Sequence, residues 1–315
     1  MPGLNQRAIW VYTAFRTKKS KPEARYTIKK IRNPKCKMNA PLSVSLVLTT
    51  YNWPEALRLT LQSVLNQSRH PDEVIVADDG SGPKTAQVVK EILKPSHLRW
   101  RHVWHQDLSV RQSRIKNLAV KNSFTSYLIF IDHDTVLHPE FIADHLSMAE
   151  MGTFLQGKRT LLSKAFTAKV LAERYFKKPG YWTGGLGNRK NAFRVPLLGK
   201  VFSGPKKFET SLRGCNLSLF KRDFFEVDGF DEVFDQSWGR EDSDICYRLF
   251  HAGLRVKNLW FLALQYHLYH GVTADWEKER LDQELQRNQQ EKRVKAVKGL
   301  SQISSEGEII AASEN

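Results

Sequence analysis

Tyr127-Leu128-Ile129-Phe130-Ile131-Asp132-His133-Asp134 decides how this chain is read. Its first five residues form an apolar run rich in aromatic and branched side chains, the pattern of a buried strand. Two carboxylates one residue apart, Asp132 and Asp134, close the run. Open α/β sheets bind their ligands at that end of the strands. A carboxylate pair there suits a divalent cation that faces phosphate oxygens. A strand-ending turn also uses Asp, so the pair alone leaves both readings open.

Working outward, the same pattern repeats. Residues 43–50 predict a strand, broken by Tyr51-Asn52-Trp53-Pro54. Residues 55–65 have helical spacing, with Leu57, Leu61, Val64 and Leu65 on one face. Residues 73–77 predict a second strand ending in Asp78-Asp79-Gly80-Ser81. Residues 85–93 predict a helix, 98–102 a weaker strand and 109–121 the helix before Asp132. Strand–helix alternation at this spacing predicts an α/β fold, a mostly parallel twisted sheet with helices on both faces. It also sets Asp78/Asp79 and Asp132/Asp134 on one rim. Further on, residues 140–150 predict a helix and 153–157 a strand. Residues 260–266 predict a last apolar strand, closed by His267-Leu268-Tyr269-His270.

Three segments fall outside that pattern. Residues 1–40 carry eleven Lys or Arg against one Glu and read as a basic N-terminal extension to a domain over 41–272. Residues 163–207 read as a basic, aromatic insertion within that domain. Phe166, Val170, Leu171, Tyr175 and Phe176, with Lys169, Arg174, Lys177 and Lys178, predict a helix either at a membrane interface or packed on the body. Residues 273–315 predict a charged C-terminal helix and a flexible tail from Ser301.

Composition bounds the function. The chain has 315 residues, 41% hydrophobic, enough for one large domain or two small ones. The formal charge is +16, concentrated in residues 1–40 and 155–212 while the remainder is acidic on balance. Such segments suit an anionic partner: lipid head groups, nucleic acid or an anionic glycan. No run approaches the roughly 18 apolar residues of a membrane span. Cys36, Cys215 and Cys246 give neither a disulfide framework nor a zinc pattern, and a cytoplasmic address is expected.

Five stretches together resemble the family 2 glycosyltransferases of GT-A fold. They are Thr49-Thr50-Tyr51-Asn52, Asp78-Asp79-Gly80-Ser81, Asp132-His133-Asp134, Gly229-Phe230-Asp231-Glu232 and Trp238-Gly239-Arg240-Glu241-Asp242. The last is similar to the acceptor motif of the galactosyltransferase and chondroitin-polymerase branch. The resemblance covers residues 43–270. It implies a GT-A nucleotide-sugar-binding domain and an inverting, metal-dependent hexosyl or N-acetylhexosaminyl transfer from a UDP-sugar. The acceptor would be a hydroxyl of a glycan or lipid-linked glycan, in bacterial lipopolysaccharide core or capsule synthesis; the basic segments add the expectation of peripheral contact with the inner face of the cytoplasmic membrane.

The same resemblance implies roles for single residues. Thr49, Tyr51 and Asp79 would contact uridine, and Asp132 the ribose or a metal-bound water. Lys116, where the family often has Arg, would lie near the phosphates as a point charge. Asp134 would ligate Mn²⁺ or Mg²⁺ together with His267, or His270 in its place. Asp242 would be the general base, at a helix start whose dipole favours its ionised form. Glu241, Trp238 and Asn216 would face acceptor or donor sugar. Two other classes compete. A basic nucleic-acid-binding protein fits the charge, but no recognition motif is present. A nucleotidyltransferase would want a Gly-rich phosphate loop after the first strand, where Thr49-Thr50-Tyr51-Asn52-Trp53-Pro54 stands.

Overall fold

The computed structural model describes residues 41–180, 182–207, 214–271, 277–303 and 308–313. The basic extension over 1–40 lies outside them. The first half of the chain alternates as its sequence predicts. Strands β1 (Val44–Thr50), β2 (Glu73–Asp78), β3 (Trp100–Trp104) and β4 (Tyr127–Asp132) are separated by helices α1 (Pro54–Leu65), α2 (Pro83–Leu93) and α3 (Gln112–Lys121). Pro54 and Pro83 open their helices, where a missing N–H costs nothing.

Beyond β4 come the short β5 (Thr135–Leu137), α4 (Phe141–Met148), β6 (Thr153–Gln156), β7 (Arg159–Leu162), α5 (Lys164–Glu173) and β8 (Leu186–Gly187). There follow α6 (Pro196–Phe202), β9 (Pro205–Lys206), β10 (Asn216–Phe220), α7 (Lys221–Glu226), α8 (Glu241–His251) and β11 (Arg255–Asn258). The chain ends in β12 (Gln265–His267), α9 (Lys278–Glu291) and β13 (Glu308–Ala312). Among the described residues the main sheet runs β13-β3-β2-β1-β4-β10-β6-β11-β9, and a smaller sheet runs β5-β12-β7-β8. Strands β3, β2, β1 and β4 are mutually parallel, while β10 enters antiparallel between β4 and β6.

Alternation along each strand explains the two helical layers. Val44, Leu46 and Leu48 point to the α1/α2/α4 side with Leu57, Leu61, Val89 and Phe141. Val47, Ile75, Leu128 and Phe130 point to the opposite side, with Ile115 and Leu118 of α3, Phe224 of α7, and Ile245 and Leu249 of α8. Each such side chain, fully buried, stabilises the fold by about 1.5–3 kcal/mol. Both faces are therefore covered, as a parallel sheet requires.

Two expectations change, and one open alternative is decided. The apolar run at 260–266 is not one strand: Phe261 (φ 59°) and Ala263 (φ 47°) turn left-handed, so pairing resumes only at Gln265 and the sheet is extended by β11 before the run. Helix α5 lays Val170, with Phe166 and Leu171, against Ala56, Leu59 and Tyr266 of the body, so its apolar face packs inward. The tail expected to fray supplies β13, antiparallel to β3 along the sheet edge.

Candidate active site

Register puts the acids where the sequence predicts. Thr50 lies opposite Asp78, and Thr49 opposite Asp132, so the acids that close β2 and β4 flank the end of β1 at one level. The Asp78/Asp79 pair is engaged within the fold. Asp78 accepts the Ser81 N–H at 2.8 Å, and its other oxygen lies 2.8 Å from His102 Nε2. Asp79 accepts the Arg111 N–H at 3.0 Å and lies 2.7 Å from His105 Nε2. Tyr51, half-buried beside them, donates its hydroxyl to Asp107 at 3.0 Å. The hydroxyl of Thr49 is buried and has no partner.

Across the rim, α3 and α8 bring charges together around Asp132. Lys116 Nζ lies 3.1 Å from Glu241 Oε1 and 5.0 Å from the centre of the Phe230 ring. Burial opposes the charge on Lys116, but Glu241, Asp132 and Asp242 outweigh it and hold its pKa above the ordinary value. Burial pushes Asp132 up to about 7, against the pull of Lys116 and with the repulsion of Asp134, Asp242 and Glu241. Burial, and then the neighbouring Asp242, raises Glu241 as well. One lysine thus serves three carboxylates.

The start of α8 is shaped to present them. Gly239 (φ 101°) and Arg240 (φ 75°) turn the chain left-handed just before the helix. Glu241, Asp242 and Asp244 then occupy its first turn, where the helix dipole favours negative charge. Gly214 donates its N–H to Asp242 Oδ2. A Cβ at Gly214 would lie 2.7 Å from that of Asp242, so only glycine lets the backbone come this close. Trp238 stands half-buried just before this turn.

Asp134 belongs to a second cluster. Its Oδ2 lies 3.2 Å from Nε2 of both His267 and His270, and the three ligand atoms lie within 4.8 Å of one another. Its Oδ1 is buried without a partner among the described residues. Burial would raise Asp134, but the bond from His270 and the charges of His267 and His133 bring it below the usual carboxylate range. Trp53 meets the rings of His133 and His270 edge-on, at 6.1 and 6.4 Å. One carboxylate oxygen, two imidazole nitrogens and an orphaned buried oxygen form a donor set that fits a divalent first-row cation.

Asn216 is placed otherwise than its expected sugar contact. It is 1% exposed; its oxygen meets His145 Nε2 at 2.8 Å and its amide donates to the carbonyls of Ala263 and Lys158. The amide is consumed inside the fold. Sequence reasoning also passed over His102 and His105. His102 is the middle residue of β3 and His105 follows its end, and only their side-chain contacts in the folded chain reveal that they reach Asp78 and Asp79.

A large mixed sheet, parallel through β3-β2-β1-β4 and entered by antiparallel β10, with acids and an Asp-His-His cluster on the rim of its parallel half, defines a GT-A-type nucleotide-sugar-binding fold. The chain belongs to glycosyl transferase family 2, whose model matches residues 45–225, and the model of the N-terminal domain of galactosyltransferase matches residues 201–271. The chain is 27% identical over 235 residues to a chondroitin synthase of Escherichia coli, covering 69% of this chain and 33% of that protein. It is 27% identical over 241 residues to a validoxylamine A glucosyltransferase of Streptomyces hygroscopicus subsp. limoneus, covering 70% and 50%. It thus spans a third to a half of the length of these curated relatives. The crystal structure of S. aureus TarS 1–349 in complex with UDP superposes with a TM-score of 0.55 at 17% identity, over 80% of this chain and 65% of that one. No helix among the described residues is long and apolar enough to cross a membrane.

Proposed function

We propose that the chain transfers a sugar from a UDP-sugar, with inversion, to a hydroxyl of a glycan or lipid-linked glycan during synthesis of a bacterial surface polysaccharide such as lipopolysaccharide core or capsule. The observation that carries this is the joint rim: Lys116, Asp132, Glu241 and Asp242 on one side, Asp134, His267 and His270 on the other. Tyr51 offers a ring for the base, and Thr49, Asp79 and Asp132 offer polar groups for the uridine. Lys116 supplies a fixed positive charge toward the leaving diphosphate. Asp242, oriented by the Gly214 N–H, takes the proton of the acceptor hydroxyl as it attacks the anomeric carbon. Glu241 and Trp238 align the sugars; Asn216 acts only by holding β10 in place.

Asp134, His267 and His270 would hold the metal, which when bound neutralises the departing diphosphate. Two imidazoles favour Mn²⁺ over Mg²⁺, which prefers oxygen ligands. UDP-bearing structures of TarS support starting with UDP-sugars. The test is UDP release from a panel of UDP-sugars with Mn²⁺ or EDTA, since many such enzymes hydrolyse donor slowly without acceptor. EDTA-sensitive turnover of one sugar, lost in Asp134→Ala, is expected. Neither turnover nor binding of UDP with Mn²⁺ would sink the reading.

The same proposal sets the protein against an anionic membrane at the cytoplasmic face. Helix α6 supports it, with Leu197 80% and Val201 73% exposed beside Lys200. Leu197→Ser/Val201→Ser should weaken sedimentation with phosphatidylglycerol liposomes; unchanged sedimentation would remove the membrane part alone.

A further inference from the structure

A second cavity, of about 180 Å³, opens beside the acid cluster between the end of β6, the start of β7 and the loop after β11. Lys158, Arg159, Lys190, Asn191, Cys215 and Trp260 are among its lining residues, and among the described residues no carboxylate lines it. Lys158 and Lys190 lie over the Trp260 ring, their Nζ atoms 4.7 and 5.6 Å from its centre. Lys158 also donates to Asn258 Oδ1 at 2.7 Å. The Arg159 Nε is buried without a hydrogen-bond partner, and Arg159 forms no ion pair among the described residues. Neither Arg159 nor Lys190 has an ion pair among the described residues, so an anion entering the cavity would meet two unmatched cations.

The cavity adjoins the proposed chemistry. Cys215 forms part of its wall, and the preceding residue, Gly214, donates to Asp242. Cys215 sits between the two fields: burial, Asp132 and Asp242 push its thiol up to about 12, while Arg159 pulls it down. A cavity of about 180 Å³ has room for one charged group and part of its ring. Guanidinium and ammonium groups recognise carboxylate and phosphate oxygens by charge-assisted hydrogen bonds.

We infer that this cavity binds the anionic group of an acidic glycan acceptor, a uronate carboxylate or a phosphodiester, and so selects the acceptor. The inference rests on the glycosyltransferase reading for the word acceptor, but its test does not. Three probes are offered to the full chain: a glucuronate-containing tetrasaccharide, a glycerol-phosphate oligomer and neutral chitotetraose. Binding is followed by calorimetry, and shielding of Lys158 and Lys190 from acylation by mass spectrometry. One acidic probe should bind, shield both lysines and be displaced by salt. Which one binds tells uronate from phosphate. Lys190→Gln and Arg159→Gln should each weaken it by about tenfold, and Lys190→Arg should restore it.

Equal shielding by chitotetraose, no shielding by either acidic probe, or shielding only by UDP with Mn²⁺ would overturn the inference. Lys190 is at the exposed rim, so its variants carry the test even where Arg159→Gln disturbs folding. UDP-sugar turnover is measured on the same preparations. Acidic-glycan binding without turnover would sink the transfer reading and leave the cavity assigned. Turnover without such binding would do the reverse.

Discussion

Two acid clusters lie within fifteen residues of each other in sequence and differ in what surrounds them. In the stretch Gly229 to Asp235 every carboxylate is matched. Asp231 accepts the N–H groups of Val233, Val297 and Lys298 at 3.1, 2.6 and 3.0 Å. Glu232 lies 3.3 Å from Arg114 and 3.0 Å from Lys298. Asp235 accepts from Ser113 and Arg114, closing the start of α3 from another element. Nearby, buried Arg248 donates to Asp244 at 2.7 Å and to the carbonyls of Val227 and Gly229. At Glu241 and Asp242 donors are fewer: Asp242 has the Gly214 N–H, and Lys116, bonded to Glu241, also faces Asp132 and Asp242. Both clusters sit in motif-like stretches; what differs between them is the donor inventory. A buried charge left short of partners is costly to keep, and functional sites are where that cost is tolerated.

The comparison can be broken most sharply at Asp242. Asp242→Asn should cut transfer about 10²–10⁴-fold while UDP binding with Mn²⁺ persists, measured by turnover and calorimetry. A drop under threefold would move the base elsewhere. On the matched side, Arg248→Met should leave buried Asp244 without its cation and with the Asn288 amide as its remaining side-chain partner, costing about 3–5 kcal/mol in urea unfolding. A loss below 1 kcal/mol would mean that this network does not hold the fold.

A smaller effect concerns His145. It lies between Ser218 and Asn216, each at 2.8 Å, and burial brings its pKa down to about 4. The amide of Asn216 donates to two carbonyls, so its oxygen takes the His145 Nε2–H, and Nδ1 is left to accept. Unfolded histidine titrates near 6.5. The unfolded chain therefore binds the extra proton first, and stability present above pH 6.5 falls as pH drops toward 4, by about 3 kcal/mol at most. His145→Gln should flatten that part of the curve; an unchanged slope would assign it to other groups. Smallest, Asp235→Ala should cost about 1–2 kcal/mol by uncapping α3. A mild fall in turnover should accompany it, since α3 carries Lys116.

The central sheet was legible because parallel strands buried on both faces read as short apolar runs, and Leu46–Leu48, Val74–Ala77 and Tyr127–Ile131 are such runs. The rim acids were legible because each directly follows its strand. What stayed hidden depends on register across the sheet. Nothing local in Asn216 tells that His145 waits on a distant helix, and nothing in His105 tells that it faces Asp79. The left-handed residues Phe261 and Ala263 are invisible to hydropathy, which reads their segment as a strand. Helix α5 is an intermediate case: its pattern foretold an amphipathic helix, but what its apolar side meets is a tertiary fact.

The strand Glu308–Ala312 has a consequence for handling the protein. It hydrogen-bonds to the open side of Trp100–Trp104, with a register irregularity between Ile309 and Ala311. Without it, a row of backbone donors and acceptors faces solvent and becomes a template for another chain. A version cut before Glu308 should therefore fold around the same rim yet self-associate as concentration rises. A purification tag fused close behind Ala312 risks the same outcome by peeling the strand away.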